Sequence, residues 1–151
     1  MTDDELFPPD LAGSRTVLVV DDAGVVRRLA YRLLSEAGYR VFEAGSAVEA
    51  LEVVSLARGR LNLILVDVVM PEVNGVDLAR MLRERIPEAE IIFMSAYPAE
   101  VLAREGLRDL RVRFLAKPFT REELLRTVAS ASARAKEAGG QPRGADQGRR
   151  V

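Results

Sequence analysis

Apolar residues along this chain follow two rhythms. Unbroken runs of four, at Val17-Leu18-Val19-Val20, Leu63-Ile64-Leu65-Val66 and Ile91-Ile92-Phe93-Met94, are bounded by polar or turn residues. Runs that short, with β-branched content, read as strands buried on both faces. Tyr39 to Ala44 reads as a more polar edge strand and Val112 to Ala116 as a fifth strand. Between the runs the apolar positions recur at helical spacing. Val26, Leu29, Ala30, Leu33 and Leu34 mark a first helix, stopped by Gly38. Ser46 with Glu49 is a capping box opening a second helix through about Ala57. Asn74-Gly75 begins a third, carrying Leu78, Met81, Leu82 and Ile86 and closed by Pro87. Pro98 suits the first position of a short fourth helix through Arg104, with Gly106 as its stop. Thr120 with Glu123 is a second capping box, and Leu124, Leu125, Val128 and Ala131 mark the last helix.

Five strands alternating with five helices imply an α/β fold: a doubly wound, five-stranded parallel sheet with helices on both faces. The flavodoxin-like strand order 2-1-3-4-5 is the expected arrangement. Residues 15–135 form the one expected domain. Residues 1–14, with Pro8-Pro9 and Gly13, read as a disordered leader, and the glycine-rich, apolar-poor 136–151 as a disordered tail.

Composition narrows the chemistry. The chain has 151 residues and a formal net charge of −1, which points to neither nucleic acid nor an anionic membrane as partner. It has no cysteine and no histidine, which excludes disulfides, thiolate catalysis, a Ser-His-Asp triad and a histidine base. No apolar run reaches the roughly 18 residues of a membrane span, and the acidic start is unlike a signal peptide, so a cytoplasmic location is expected. Carboxylates, hydroxyls and lysine are left to act.

Those groups gather at strand ends: Asp21 and Asp22 after the first strand, Asp67 on the third, Ser95 on the fourth and Lys117 on the fifth. Singly, each has a bland use: Asp22 as a helix cap, Ser95 in a turn, Lys117 on the surface. In the 2-1-3-4-5 order the switch point lies between the first and third strands, so the three acids would crowd one crevice. Crowded carboxylates raise one another's pKa unless a cation neutralises them, and oxygen-only ligation suits Mg²⁺. With a lysine and a hydroxyl opposite, the set forms a receptacle for a phosphoryl group, in which a carboxylate can act as nucleophile.

The set Asp21-Asp22, Asp67-Val68-Val69-Met70-Pro71-x-x-x-Gly75, Ser95-Ala96 and Lys117-Pro118-Phe119 resembles the receiver domain of two-component response regulators over residues 15–135. The resemblance implies that Asp67 is the phosphoacceptor, charged by a histidine kinase or a histidine phosphotransfer protein. It implies Mg²⁺ (or Mn²⁺) held by Asp22, Asp67 and the carbonyl of Val69, with Asp21 acting through water. Ser95 would bond a phosphoryl oxygen and Lys117 would pair with phosphate or Asp67. Phe114 matches the aromatic switch position, in competition with a plain core role. The face of the fourth helix, fifth strand and fifth helix would meet a downstream protein or support a homodimer. The chain is then a signalling receiver rather than an enzyme, passing phosphate onward or binding a partner, with some similarity to receivers of hybrid sensor kinases.

Departures from the family pattern carry expectations of their own. Ala23 stands where another polar residue is common, which would weaken cation affinity. Ser95 replaces threonine, and Phe114 lacks a tyrosine hydroxyl. Val69 and Tyr97, two residues after Asp67 and Ser95, would hinder an attacking water and lengthen the phosphoryl lifetime. Two rival readings are a Mg²⁺-dependent phosphohydrolase, which would pair Asp67 with a second acid where Val69 stands, and a scaffold that never accepts phosphate.

Overall fold

The computed structural model of the chain describes residues 15–57, 60–70, 73–96 and 112–140, with side chains to residue 132. Five parallel strands form one sheet in the order β2-β1-β3-β4-β5: β1 Thr16–Val20, β2 Arg40–Ala44, β3 Leu63–Asp67, β4 Glu90–Ser95 and β5 Val112–Ala116. Four helices are described: α1 Gly24–Glu36, α2 Ala47–Ala57, α3 Gly75–Arg85 and α4 Arg121–Gly140. The leader, Pro71, Tyr97, the short helix expected over 98–104 and the tail beyond residue 140 lie outside the described residues.

Alternation along the strands sorts the core into two layers. Leu18, Val20, Ile64, Val66, Ile91 and Phe93 point to one face and pack with α2 and α3. Val17, Val19, Leu63, Leu65, Ile92 and Met94 point to the other and pack with α1 and α4. Strand β3 is buried at all five positions, as its unbroken apolar run requires. Asn62 pins the strands' starting ends: its side-chain oxygen accepts from Thr16 N at 2.8 Å and its carbonyl from Glu90 N at 2.9 Å.

Local sequence accounts for most helix ends. Thr120 Oγ1 accepts from Glu123 N at 3.0 Å, and Glu123 Oε1 accepts from Thr120 N at 2.8 Å, the reciprocal bonds of a capping box. At α2 the pattern is offset by one residue. Ser46 Oγ accepts from Glu49 N, while Glu49 Oε1 accepts from Gly45 N at 2.7 Å. Gly38, at φ +101°, ends α1 in the left-handed region that glycine enters freely. Helix α4 runs to Gly140, five residues past the boundary expected at 135. Its Ala, Arg, Lys and Glu residues are strong helix formers, so the helix continues after its apolar stripe ends. Among the described residues, no helix is long and apolar enough to cross a membrane.

Candidate phosphoryl-acceptor site

The sheet brings the acids together at the strands' C-terminal ends. Strand β1 is flanked by β2 on one side and β3 on the other, so the switch point falls beside Asp21, Asp22 and Asp67. The ladders run one residue beyond the strands: Asp21 N donates to Ala44 O and Val68 N to Met94 O, each at 3.1 Å, and Lys117 N donates to Ser95 O at 3.0 Å. Asp21, Asp67, Ser95 and Lys117 therefore leave from or directly beside hydrogen-bonded backbone rather than from a loose loop. The three carboxylates each place an oxygen within 4.8 Å of the other two.

Their surroundings differ. Asp21 is fully buried, whereas Asp22 is exposed. Oδ1 of Asp21 accepts from Ala23 N at 2.9 Å and Oδ2 from Lys117 Nζ at 2.9 Å. Lys117 Nζ lies 3.4 Å from Asp67 Oδ1, so it sits between the two buried acids and is nearer Asp21. Asp67 Oδ1 also accepts from Val69 N at 3.3 Å. Asp22 does not cap α1: the N-cap is Ala23, which makes no side-chain capping bond. Its carboxylate makes no hydrogen bond to a described residue, which leaves its oxygens open toward the cluster.

Asp67 carries the clearest electrostatic mark. Its carboxyl is pushed up from 3.8 to about 6, first by burial and then by the charge of Asp21. Lys117 and the amide of Val69 pull the other way, yet burial together with the neighbouring carboxylate outweighs them. The carboxylate remains mostly ionised at neutral pH, poorly compensated and therefore nucleophilic. Such a donor set fits a hard divalent cation: the available ligands are all oxygens, and three carboxylates stand against the one ammonium of Lys117.

Gly75 sets how closely the next helix approaches this site. A Cβ there would lie 2.3 Å from Asp67 O, 2.7 Å from Val68 Cα and 2.8 Å from Val68 O. Gly75 N also donates to Val68 O at 2.9 Å. With Asn74 Oδ1 accepting from Val76 N at 2.7 Å, α3 is seated directly on the loop that follows Asp67. In sequence Gly75 is visible only as part of a motif, because a backbone-to-backbone approach leaves no trace in local pattern.

The remaining expected residues fall around the pocket in different ways. Ser95, at the end of β4, is buried. The side chain of Val69 is 76% exposed, so this position holds no second acid facing Asp67. Phe114 is half-buried, with its ring tilted 56° to Phe93 at 5.8 Å, and packs on the α2–α3 layer. Tyr97 lies outside the described residues.

Comparison with known proteins agrees with this geometry. The response regulator receiver domain family matches residues 17–129. The chain belongs to that family. It is 44% identical over 119 residues to the sensor kinase CckA of Brucella abortus, covering 79% of this chain and 13% of that protein. It is 30% identical to the response regulator receiver protein CpdR of the same organism, covering 76% of this chain and 93% of CpdR. Among solved structures, the receiver domain of the hybrid histidine kinase CckA is 32% identical with a TM-score of 0.67, covering 78% of this chain and 98% of that one. The Thermotoga maritima response regulator TrrA, solved in complex with Mg²⁺ and BeF, is 29% identical with a TM-score of 0.68, covering 78% and 98%. The chain spans 52% of the Mycobacterium leprae response regulator MprA and 25% of a Bradyrhizobium NtrC, so those whole proteins carry further segments.

Proposed function

We propose that the chain accepts a phosphoryl group on Asp67 from a phosphohistidine of a histidine kinase or histidine phosphotransfer protein. The observation that carries this reading is the cluster of three carboxylates within 4.8 Å, with Lys117 set between Asp21 and Asp67. An oxygen of Asp67 forms the new P–O bond while the donor's P–N bond breaks and its electron pair stays on the imidazole. The product is an acyl phosphate, and the buried carboxyl of Asp67 is pushed up to about 6, so its ionised form is poorly compensated. A bound Mg²⁺ or Mn²⁺, held by Asp22, Asp67 and the carbonyl of Val69, would supply charge neutralisation for the transferring group. Lys117 holds Asp21 and Asp67 at a set separation and offers its ammonium to a phosphoryl oxygen. Asp21 takes part through this ion pair as well as through water.

Beside the pocket, Val25 is 85% exposed on the first turn of α1 and neighbours Leu29, Arg28 and Arg32. This apolar and basic surface suits the docking of a phosphodonor. After transfer, Ser95 would bond a phosphoryl oxygen and Phe114 would repack. The change would be read by a protein partner, or a second copy, on the face that includes β5 and α4. The similarity to the receiver domain of a hybrid histidine kinase supports a phosphorelay placement, which implies action in the cytoplasm. The exposed Val69, which brings no acid or amide to orient a water, supports a phosphoryl state lasting minutes or longer rather than seconds. It also weighs against the phosphohydrolase. Acetyl phosphate with Mg²⁺ tests the reading: wild type gains one acid-stable, base-labile phosphate by mass, and Asp67→Asn gains none. Equal incorporation by the two proteins would overturn it.

A further inference from the structure

The cation site proposed above needs Asp22, yet no described partner holds that carboxylate. What fixes its direction lies one peptide earlier. The carbonyl of Asp21 accepts a hydrogen bond from Arg27 Nη1 at 2.7 Å. Because the peptide group is planar, fixing this carbonyl also fixes the amide of Asp22 and the position of its Cα, and so narrows the directions in which its side chain can leave the chain. Asp21 is thereby held at four atoms: N by Ala44, Oδ1 by Ala23, Oδ2 by Lys117 and O by Arg27.

Arg27 is itself anchored. It lies one turn into α1, its own N bonded to Ala23 O, and helical side chains lean toward the N-terminus, which aims it at the acid loop. Its Nε donates to Glu43 Oε1 at 3.1 Å, at the end of β2, and Arg28 pairs with the other oxygen of Glu43. The guanidinium lies between two glycines. A Cβ on Gly45 would stand 3.0 Å from Arg27 Nη1, and one on Gly24 3.7 Å from Nη2.

We propose that Arg27 is a positioning residue for the acid pair. From α1 it holds the Asp21–Asp22 peptide in the orientation that presents Asp22 to a divalent cation, and Glu43 and the Gly24–Gly45 slot hold Arg27. This inference rests on the cation site of the preceding section. Glu43 is shared by Arg27 and Arg28, so part of the guanidinium's charge remains, and a directional action has to be told apart from a charge effect. That distinction gives a test by sign. Removing a positive charge near three carboxylates should tighten Mg²⁺ binding if charge dominated. Losing the orientation should weaken it.

The experiment is calorimetric titration of Mg²⁺ into the full chain for wild type, Arg27→Met, Arg27→Lys and Ala30→Gly. The last variant loosens the same helix without touching Asp21. Arg27→Met is expected to weaken Mg²⁺ binding about tenfold, the usual cost of losing a partner that orients a ligand. Arg27→Lys should recover part of the loss, and Ala30→Gly should match wild type. Unchanged or tighter binding by Arg27→Met would overturn the proposal, as would an equal loss in Ala30→Gly. A wild type that binds no Mg²⁺ would instead remove the cation site. Hydrogen exchange of the Ala23 amide in metal-free protein would then decide the role of Arg27. Exchange about tenfold faster in Arg27→Met than in Ala30→Gly supports positioning, and equal rates sink it.

Discussion

The two sides of the pocket are held by contacts of different kinds. At the β1–β3 side the acids are fixed by directional bonds: Lys117 to Asp21 at 2.9 Å, Ala23 to Asp21 at 2.9 Å, and Arg27 to the Asp21 carbonyl at 2.7 Å. Gly75 adds backbone packed on backbone. At the β4–β5 side the backbone is bonded, Lys117 N to Ser95 O at 3.0 Å, but the side chain of Phe114 is half-buried and rests on Phe93 through a tilted ring contact at 5.8 Å. Hydrogen bonds set distance and angle together, whereas a dispersion contact is weak per atom pair and imposes no single direction. The difference separates two tasks. In the proposed function the reacting charges would be placed before phosphate arrives, and the reporting side would repack afterwards.

The strongest way to break this comparison is at its centre. Asp67→Asn is expected to abolish phosphate incorporation, measured by intact mass after treatment with acetyl phosphate. Folding should survive, since the amide fills the same volume.

The same residue sharpens the comparison through pH. The carboxyl of Asp67 sits at about 6 in the folded chain against 3.8 as the ordinary value, so the folded state holds the proton more tightly. Its contribution to stability is therefore fully present below about pH 4 and is lost as pH rises through about 6. Urea unfolding of the metal-free chain should show a decline of up to about 3 kcal/mol from this group between pH 4 and 7.5. Asp67→Asn should remove that part of the decline, and Mg²⁺ should reverse it at neutral pH. The initial rate of phosphorylation should fall as pH drops and the nucleophile is protonated, with a midpoint below the metal-free value of about 6, since a bound Mg²⁺ favours the ionised carboxylate.

Gly75→Ala strikes the packed side of the site. The added methyl would stand 2.3 Å from Asp67 O, and neither backbone can yield alone. A loss of about 2–3 kcal/mol by urea unfolding is expected, together with slower phosphorylation as Asp67 is displaced. Phe114→Ala strikes the other side and should cost less, about 1–2 kcal/mol, because the ring is only half-buried. Its phosphorylation rate should stay within about threefold of wild type. A Phe114→Ala variant that lost phosphorylation as Gly75→Ala does would erase the distinction between the two sides. The smallest effect is expected outside both: Thr120→Ala removes a cap of α4, should cost about 1 kcal/mol, and should leave phosphorylation unchanged.

Much of the fold is legible because its causes are local. The unbroken run at β3 demands burial on both faces, Gly38 takes a left-handed turn, and Thr120 with Glu123 closes a capping box within four residues. The alternation of strand and helix then leaves few topologies, and the order 2-1-3-4-5 is among them. Asp67, Asp21, Asp22 and Lys117 stand out in sequence because charged groups directly after apolar runs need a reason to be there.

What local pattern does not carry is which atom meets which across the fold. Sequence suggested that Lys117 would face phosphate or Asp67; its nearer partner is Asp21, 96 residues away, because the pocket brings strand ends together without regard to chain distance. Asp21 and Asp22 are adjacent and chemically identical, yet one is fully buried and the other exposed, since successive side chains leave the backbone in different directions. Arg27 looks like any exposed-face arginine of an amphipathic helix until β2 places Glu43 and Gly45 beside it. Composition and periodicity determined the described elements and their order, and marked the acids at the strand ends as the groups to explain. Only the folded chain decided which acid is buried against lysine, which is left open, and which arginine bonds the carbonyl between them, because those are properties of distance through space.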